Sequence, residues 1–137
     1  MSRLNAIRSA VATIVTDHFT TASETVTLSA DPDSMESLQL TDFPFARIIF
    51  VEEEPERLAF KQERRRVTGQ IAIAMFGESV TRETVDSRIE GIRDAIFADE
   101  TLGGLVDDIS AEAGAAISNP DDGKVYGTLD ISTEELF

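Results

Sequence analysis

The sequence predicts an α+β domain, a mostly antiparallel β-sheet with two main helices packed on one face. Three observations lead there. Segments 3–17 and 82–98 repeat apolar residues at helical spacing, whereas 45–52, 64–76 and 124–132 are β-branched runs or alternate strictly. The order reads helix, three strands, helix, two strands, so hairpins outnumber crossovers. With 137 residues and no internal repeat, low-complexity tract or separating linker, 1–137 is read as a single domain.

The first helix, 3–17, sets Leu4, Ile7, Val11 and Ile14 on one stripe flanked by Ala10 and Val15, with Ser2 as N-cap. Residues 20–42 are rich in Thr, Ser, Asp and Pro. Val26 and Leu28 alternate there and Asp31-Pro32-Asp33 makes a turn, which gives a long connection holding one short strand. The strand at 45–52 begins after Pro44 and has apolar side chains at both parities, so the core is expected to cover one face and a partner the other.

A second strand is expected over 57–61. In the third, 64–76, Val67, Gly69, Ile71, Ile73 and Met75 share one face, and Thr68, Gln70, Ala72 and Ala74 the other. Helix 82–98 carries a stripe of Val85, Ile89, Ile92 and Ile96 widened by Phe97, with Thr81 as N-cap and Glu83 in its first turn. Glu90 is placed to pair with Arg93. Asp99 to Gly104 ends the helix, and a weak alanine-rich strand follows at 109–117. After the Asn119-Pro120-Asp121-Asp122-Gly123 turn, the last strand alternates Val125, Gly127, Leu129 and Ile131 against Tyr126, Thr128, Asp130 and Ser132.

Charge narrows the function. Twenty-six Asp and Glu against 12 Lys and Arg leave a net charge of −14 and a pI near 4.3. That field repels phosphate, which disfavours general nucleic-acid binding and docking on an anionic membrane. No apolar run reaches the roughly 20 residues of a membrane helix, and the first residues lack the apolar core of a signal peptide. With no cysteine, disulfides, thiolate metal sites and cysteine nucleophiles are excluded, while the compartment stays open.

Catalytic patterns fail one after another. His18 is the single histidine, sits just past the first helix and reads as a solvated residue near a helix C-terminus, with no second signature to build a triad. Gly77-Glu78-Ser79-Val80-Thr81 misses the nucleophile elbow because Thr81 stands where glycine belongs. Gly103-Gly104 follows a helix rather than opening one, and Lys124 is followed by Val125, so neither makes a phosphate loop. Asp31 with Asp33, Glu52 to Glu54, Asp107 with Asp108 and Asp121 with Asp122 group hard oxygen ligands without a calcium-loop pattern, and read as solvated turns. No catalytic residue, cofactor or metal ligand is assigned, and the chain is expected not to be an enzyme.

One local feature runs against the overall charge. Lys61, Arg64, Arg65 and Arg66 place four of the 12 basic residues within six positions. Alternation puts Arg64 and Arg66 on one strand face and Arg65 on the other. The plain reading is a solubilising hairpin tip. The sharper one is an intersubunit contact with the acidic segment Glu52, Glu53 and Glu54 of a neighbour, a role that suits the planar fork of arginine.

In organisation the chain resembles the tail terminator, or tail-completion, proteins of long-tailed bacteriophages and phage-like particles. The residues that carry the resemblance are the helix Arg3 to Thr16 (RLNAIRSAVATIVT), the strands Phe45 to Val51 (FARIIFV) and Arg65 to Phe76 (RRVTGQIAIAMF), and the helix Val85 to Phe97 (VDSRIEGIRDAIF). That helix runs into Asp99 to Gly104 (DETLGG) and Leu105-Val106, and the closing strand is Lys124 to Ile131 (KVYGTLDI). The resemblance spans the domain apart from 20–42. It implies an α+β subunit of a homohexameric ring at the head-proximal end of the virion tail, assembled in the host cytoplasm. Such a ring stops tail-tube polymerisation, contacts the tail tube protein and the head-tail connector protein, and lets DNA pass through its lumen without specific binding. The family carries no catalytic motif. Two other readings remain: another head-tail connector or tail-tube protein, or a small acidic regulatory binding module.

Overall fold

Three long segments dominated by alternating isoleucine, valine and small residues have an apolar face that water disfavours and two helices able to cover it. The computed structural model describes residues 3–30, 43–58, 62–77, 79–118 and 123–136. Its elements are α1 (Arg3–Thr21), β1 (Thr27–Ser29), β2 (Phe45–Glu52), β3 (Glu56–Arg57), β4 (Glu63–Phe76), α2 (Arg82–Ala98), β5 (Asp108–Ala113), β6 (Ile117–Ser118) and β7 (Lys124–Leu136). The strands form one sheet in the order β1-β2-β4-β7-β5, with β3 on β4 and β6 on β7. Pairing is antiparallel except between β1 and β2, and the expected α+β architecture is present.

Register aligns the apolar rows. Ile48, Ile71 and Leu129 face one another across β2, β4 and β7, and Ala46, Ile73 and Gly127 form the row beside them. Against this face α2 buries Val85, Ile89, Ile92 and Ile96, the stripe read from sequence. Thr81 caps α2: its hydroxyl accepts from Thr84 N–H at 3.3 Å, while Thr84 Oγ1 accepts from Thr81 N–H at 3.1 Å. The α1 stripe is shifted from the expected one. Ile7, Val11, Val15 and Phe19 are fully buried, whereas Leu4 and Ile14 are half-buried. The helix runs one turn beyond 17 because Phe19 is apolar at the next i+4 position and finds the core there.

Other boundaries moved for local reasons. The short strand expected inside 20–42 is β1, while residues 31–42 lie outside the described ones, as do Ser2, Lys61 and the 119–122 turn. The strand expected at 57–61 is described only as the Glu56–Arg57 pair. The single strand expected at 109–117 is broken into β5 and β6, with Gly114 between them and Asp86 Oδ1 accepting from Ala116 N–H at 3.1 Å. The last strand continues to Leu136, because Thr133 and Glu135 extend the buried parity, Thr133 donating to Val67 O at 3.2 Å. Arg93 does not turn to Glu90 as expected. It donates to Ala111 O at 3.1 Å and lies over the Phe97 ring, which stays one-third exposed rather than joining the stripe.

Two glycines set the spacing of α2. A Cβ at Gly127 would stand 2.5 Å from Val85 Cγ1 and 3.2 Å from Ile89 Cγ1, so the bare backbone of β7 is what lets α2 lie this close. Gly91, on the opposite side of α2, receives the His18 ring of α1. Gly127→Ala is therefore expected to lower unfolding stability by about 1–3 kcal/mol, the usual cost of overpacking, measured as a reduced urea midpoint with an unchanged slope.

Candidate functional site

The parity opposite the helices faces outward. On β2, Phe45 is 4% exposed, Ile49 is half-buried and Val51 is 59% exposed, so among the described residues β2 is fully covered on this face only at the Phe45 end. From Val51 and Ile49 the sheet forms a groove of about 520 Å³ that crosses Thr68 and Gln70 of β4, then Asp130 and Ser132 of β7, to Ser110 and Glu112 of β5. A polar chain spans its floor: Arg47 donates to Gln70 Oε1 at 3.4 Å, and Gln70 Nε2 donates to Asp130 Oδ1 at 3.0 Å. One wall is aliphatic and the other acidic. The groove thus sets an aliphatic rim beside a bonded Gln70–Asp130 pair.

The arginine cluster lies at one end of the same sheet. Arg64 and Arg66 share a face, as alternation requires, and both reach Glu134 of β7. Arg64 Nε lies 2.9 Å from Glu134 Oε1, within ion-pair range but not aligned as a hydrogen bond, and its Nη1 is 3.5 Å from Glu56 Oε2. Arg66 Nη2 is 3.8 Å from Glu134 Oε2, and Arg65 turns to Glu63 at 3.6 Å. Glu52, Glu53 and Glu54 sit beside the cluster rather than across the molecule: Glu52 is opposite Val67, and Glu53 N–H donates to Arg66 O at 2.9 Å. The two segments read as complementary patches thus share one end of one sheet. Sequence reasoning missed Glu134, which is distant in the chain and adjacent only through the β4–β7 register.

His18 is the other correction. It lies in the last turn of α1, its ring against Gly91 and Nε2 buried without a hydrogen-bond partner. Burial, and then the nearby Arg88, lower its pKa below the usual 6.5, while Glu24 opposes the shift. Arg88 itself is held by Glu24, Nε to Oε1 at 2.8 Å, an ion pair that ties the segment after α1 to α2. Among the described residues, no three histidine or carboxylate side chains gather closely enough to hold a metal ion. No described helix is long and apolar enough to cross a membrane.

Comparison with known proteins finds no family model that matches the chain and no curated protein whose sequence matches it. The site is therefore read from its own geometry.

Two expectations follow. A native His18 that resists protonation makes the unfolded chain bind more protons once pH falls below about 6.5, so stability drops as pH falls from there toward the lower folded-state pKa. Urea midpoints measured from pH 7.5 to 5 should fall in the native protein and fall less in His18→Asn. Glu134→Gln, which removes the carboxylate shared by Arg64 and Arg66, should cost roughly 1 kcal/mol at low salt and less at high salt, read from the same midpoints.

Proposed function

We propose that the chain is a structural assembly protein of the tail-terminator type, a homohexameric ring that caps a phage tail tube at its head-proximal end and offers the surface for head joining. The observation that carries this reading is the face of the sheet that no helix covers among the described residues. Ile49 and Val51 line a broad groove in which Gln70 and Asp130 are already bonded to one another, which is the character of a surface made for another protein. A ring needs two different surfaces on each subunit, and this face, with Ile49 and Val51, differs from the helix layer, whose exposed positions are mostly polar, such as Ser9, Thr13, Asp17, Glu83, Glu90 and Asp94. The net charge of −14 fits a passage that DNA traverses without being held. In this reading tail-tube and connector proteins meet the ring through protein surfaces, and no chemical step is involved.

The arginine cluster keeps a supporting role. Its ion pairs with Glu134, Glu56 and Glu63 brace the sheet end, and the exposed part of Arg66 faces a neighbour. The first test is the copy number and position of the protein in purified particles, by cryo-electron microscopy with quantitative mass spectrometry. One hexamer at the upper end of the tube is the expected result. Hundreds of copies along the tube would make it a tube subunit, and absence from particles would favour the regulatory module. Val51→Asp should leave the circular dichroism spectrum unchanged and reduce capped tails at least tenfold; wild-type capping by this variant overturns the role given to the open face.

A further inference from the structure

The register sets the outward face of the sheet in rows. Reading from β5 through β7 to β4, one row is Asp108, Glu134 and Arg66, and the next is Ser110, Ser132 and Thr68. The third is Glu112, Asp130 and Gln70, with Ile49 of β2 at its far end. Two rows therefore put carboxylates directly opposite each other, an arrangement that costs stability unless a cation relieves it. The first row has that relief, since Arg64 and Arg66 reach Glu134 at 2.9 and 3.8 Å. The third does not: among the described residues no ion pair reaches Glu112 or Asp130.

Gln70 stands where Arg66 stands in the first row, and it gives Asp130 Oδ1 one neutral hydrogen bond at 3.0 Å. Glu112 and Asp130 are both exposed, and both line the groove of about 520 Å³ whose other side is Ile49 and Val51. Three strand spacings separate Glu112 from Ile49, roughly 14 Å, which an extended chain spans in about four residues. A pair of like charges kept at a cost, on the floor of a groove with an aliphatic far side, is arranged for a cation from outside.

We infer that the groove takes a basic segment of another protein, an extended stretch that sets an arginine or lysine over the Glu112–Asp130 pair and an aliphatic side chain against Ile49 and Val51. Charge complementarity selects this occupant, and the field of a chain of net charge −14 draws it in. A second copy offers no comparable cation. Its basic cluster, Arg64 to Arg66, sits among Glu52, Glu53, Glu54, Glu56, Glu63 and Glu134, which outnumber it. The inference rests on reading the open face as a docking surface, and needs neither a hexamer nor a tail tube.

The test titrates the full chain with a capped pentapeptide, arginine-threonine-serine-threonine-valine, and with its twin carrying glutamate for arginine, and follows the backbone amide resonances. The arginine peptide should shift Ile49, Ser110, Glu112 and Asp130 and bind about tenfold more tightly than its twin. Glu112→Gln with Asp130→Asn should weaken it about tenfold. Glu90→Gln with Asp94→Asn removes the same charge from the exposed side of α2, and should leave binding within about twofold. Glu112→Gln alone should raise the urea midpoint of the free protein at low salt and leave it unchanged at high salt. Equal weakening by the two double variants means general attraction to an acidic protein and overturns the proposal. Equal binding of both peptides at Ile49 and Val51 leaves the docking face standing and overturns its basic partner, whereas no shift on this face with either peptide overturns both. Concentration-dependent shifts of Ser110 and Asp130 in the protein alone overturn the proposal in favour of a second copy.

Discussion

The structure depends on how closely α2 lies on the sheet. Its apolar stripe meets β7 at Gly127, where the missing side chain lets Val85 and Ile89 approach the backbone, and on its other side Gly91 receives His18 of α1. With both spacings fixed by glycine, one helix serves as the floor for the sheet and the shelf for the other helix. A side chain at either position would push two layers apart and open space that no neighbouring residue could fill, which is costly in an interior packed to crystal-like density.

That single-sided packing has a consequence for function. Both helices lie on one face of the sheet, so the opposite face must be satisfied by its own residues or by another molecule. The chain does some of each. Gln70 bridges Arg47 and Asp130, and Phe45, Ala72 and Ala74 are buried, but Ile49 and Val51 are left facing the groove. At the sheet end Arg64 and Arg66 reach Glu134 across the β4–β7 ladder. The basic cluster, read in the linear sequence as a contact for a neighbour, also pairs within the subunit, with Glu134, Glu56 and Glu63.

Much of this was legible in the sequence. The buried faces of β4 and β7 and the α2 stripe follow from spacing alone, and Thr81 follows from its place before an apolar periodic run. The misses share a cause. Phe19 and His18 were set outside α1 because a Thr- and Asp-containing stretch looks like a helix end, yet tertiary contacts with α2 hold the last turn in place. Helical spacing pairs Arg93 with Glu90, but its guanidinium donates instead to the carbonyl of Ala111, which lies beside α2 only once β5 has paired with β7.

The sequence by itself determined the fold class, the helix-facing parity of each long strand, the absence of thiol chemistry and the sign of the overall field, because each of these is local or additive along the chain. Only the tertiary structure decided which carboxylates meet Arg64 and Arg66, how His18 is buried, and that Arg93 of α2 reaches the Ala111 carbonyl of β5. Those depend on register and layer spacing between segments that are far apart in the chain, and no periodicity within one segment encodes them.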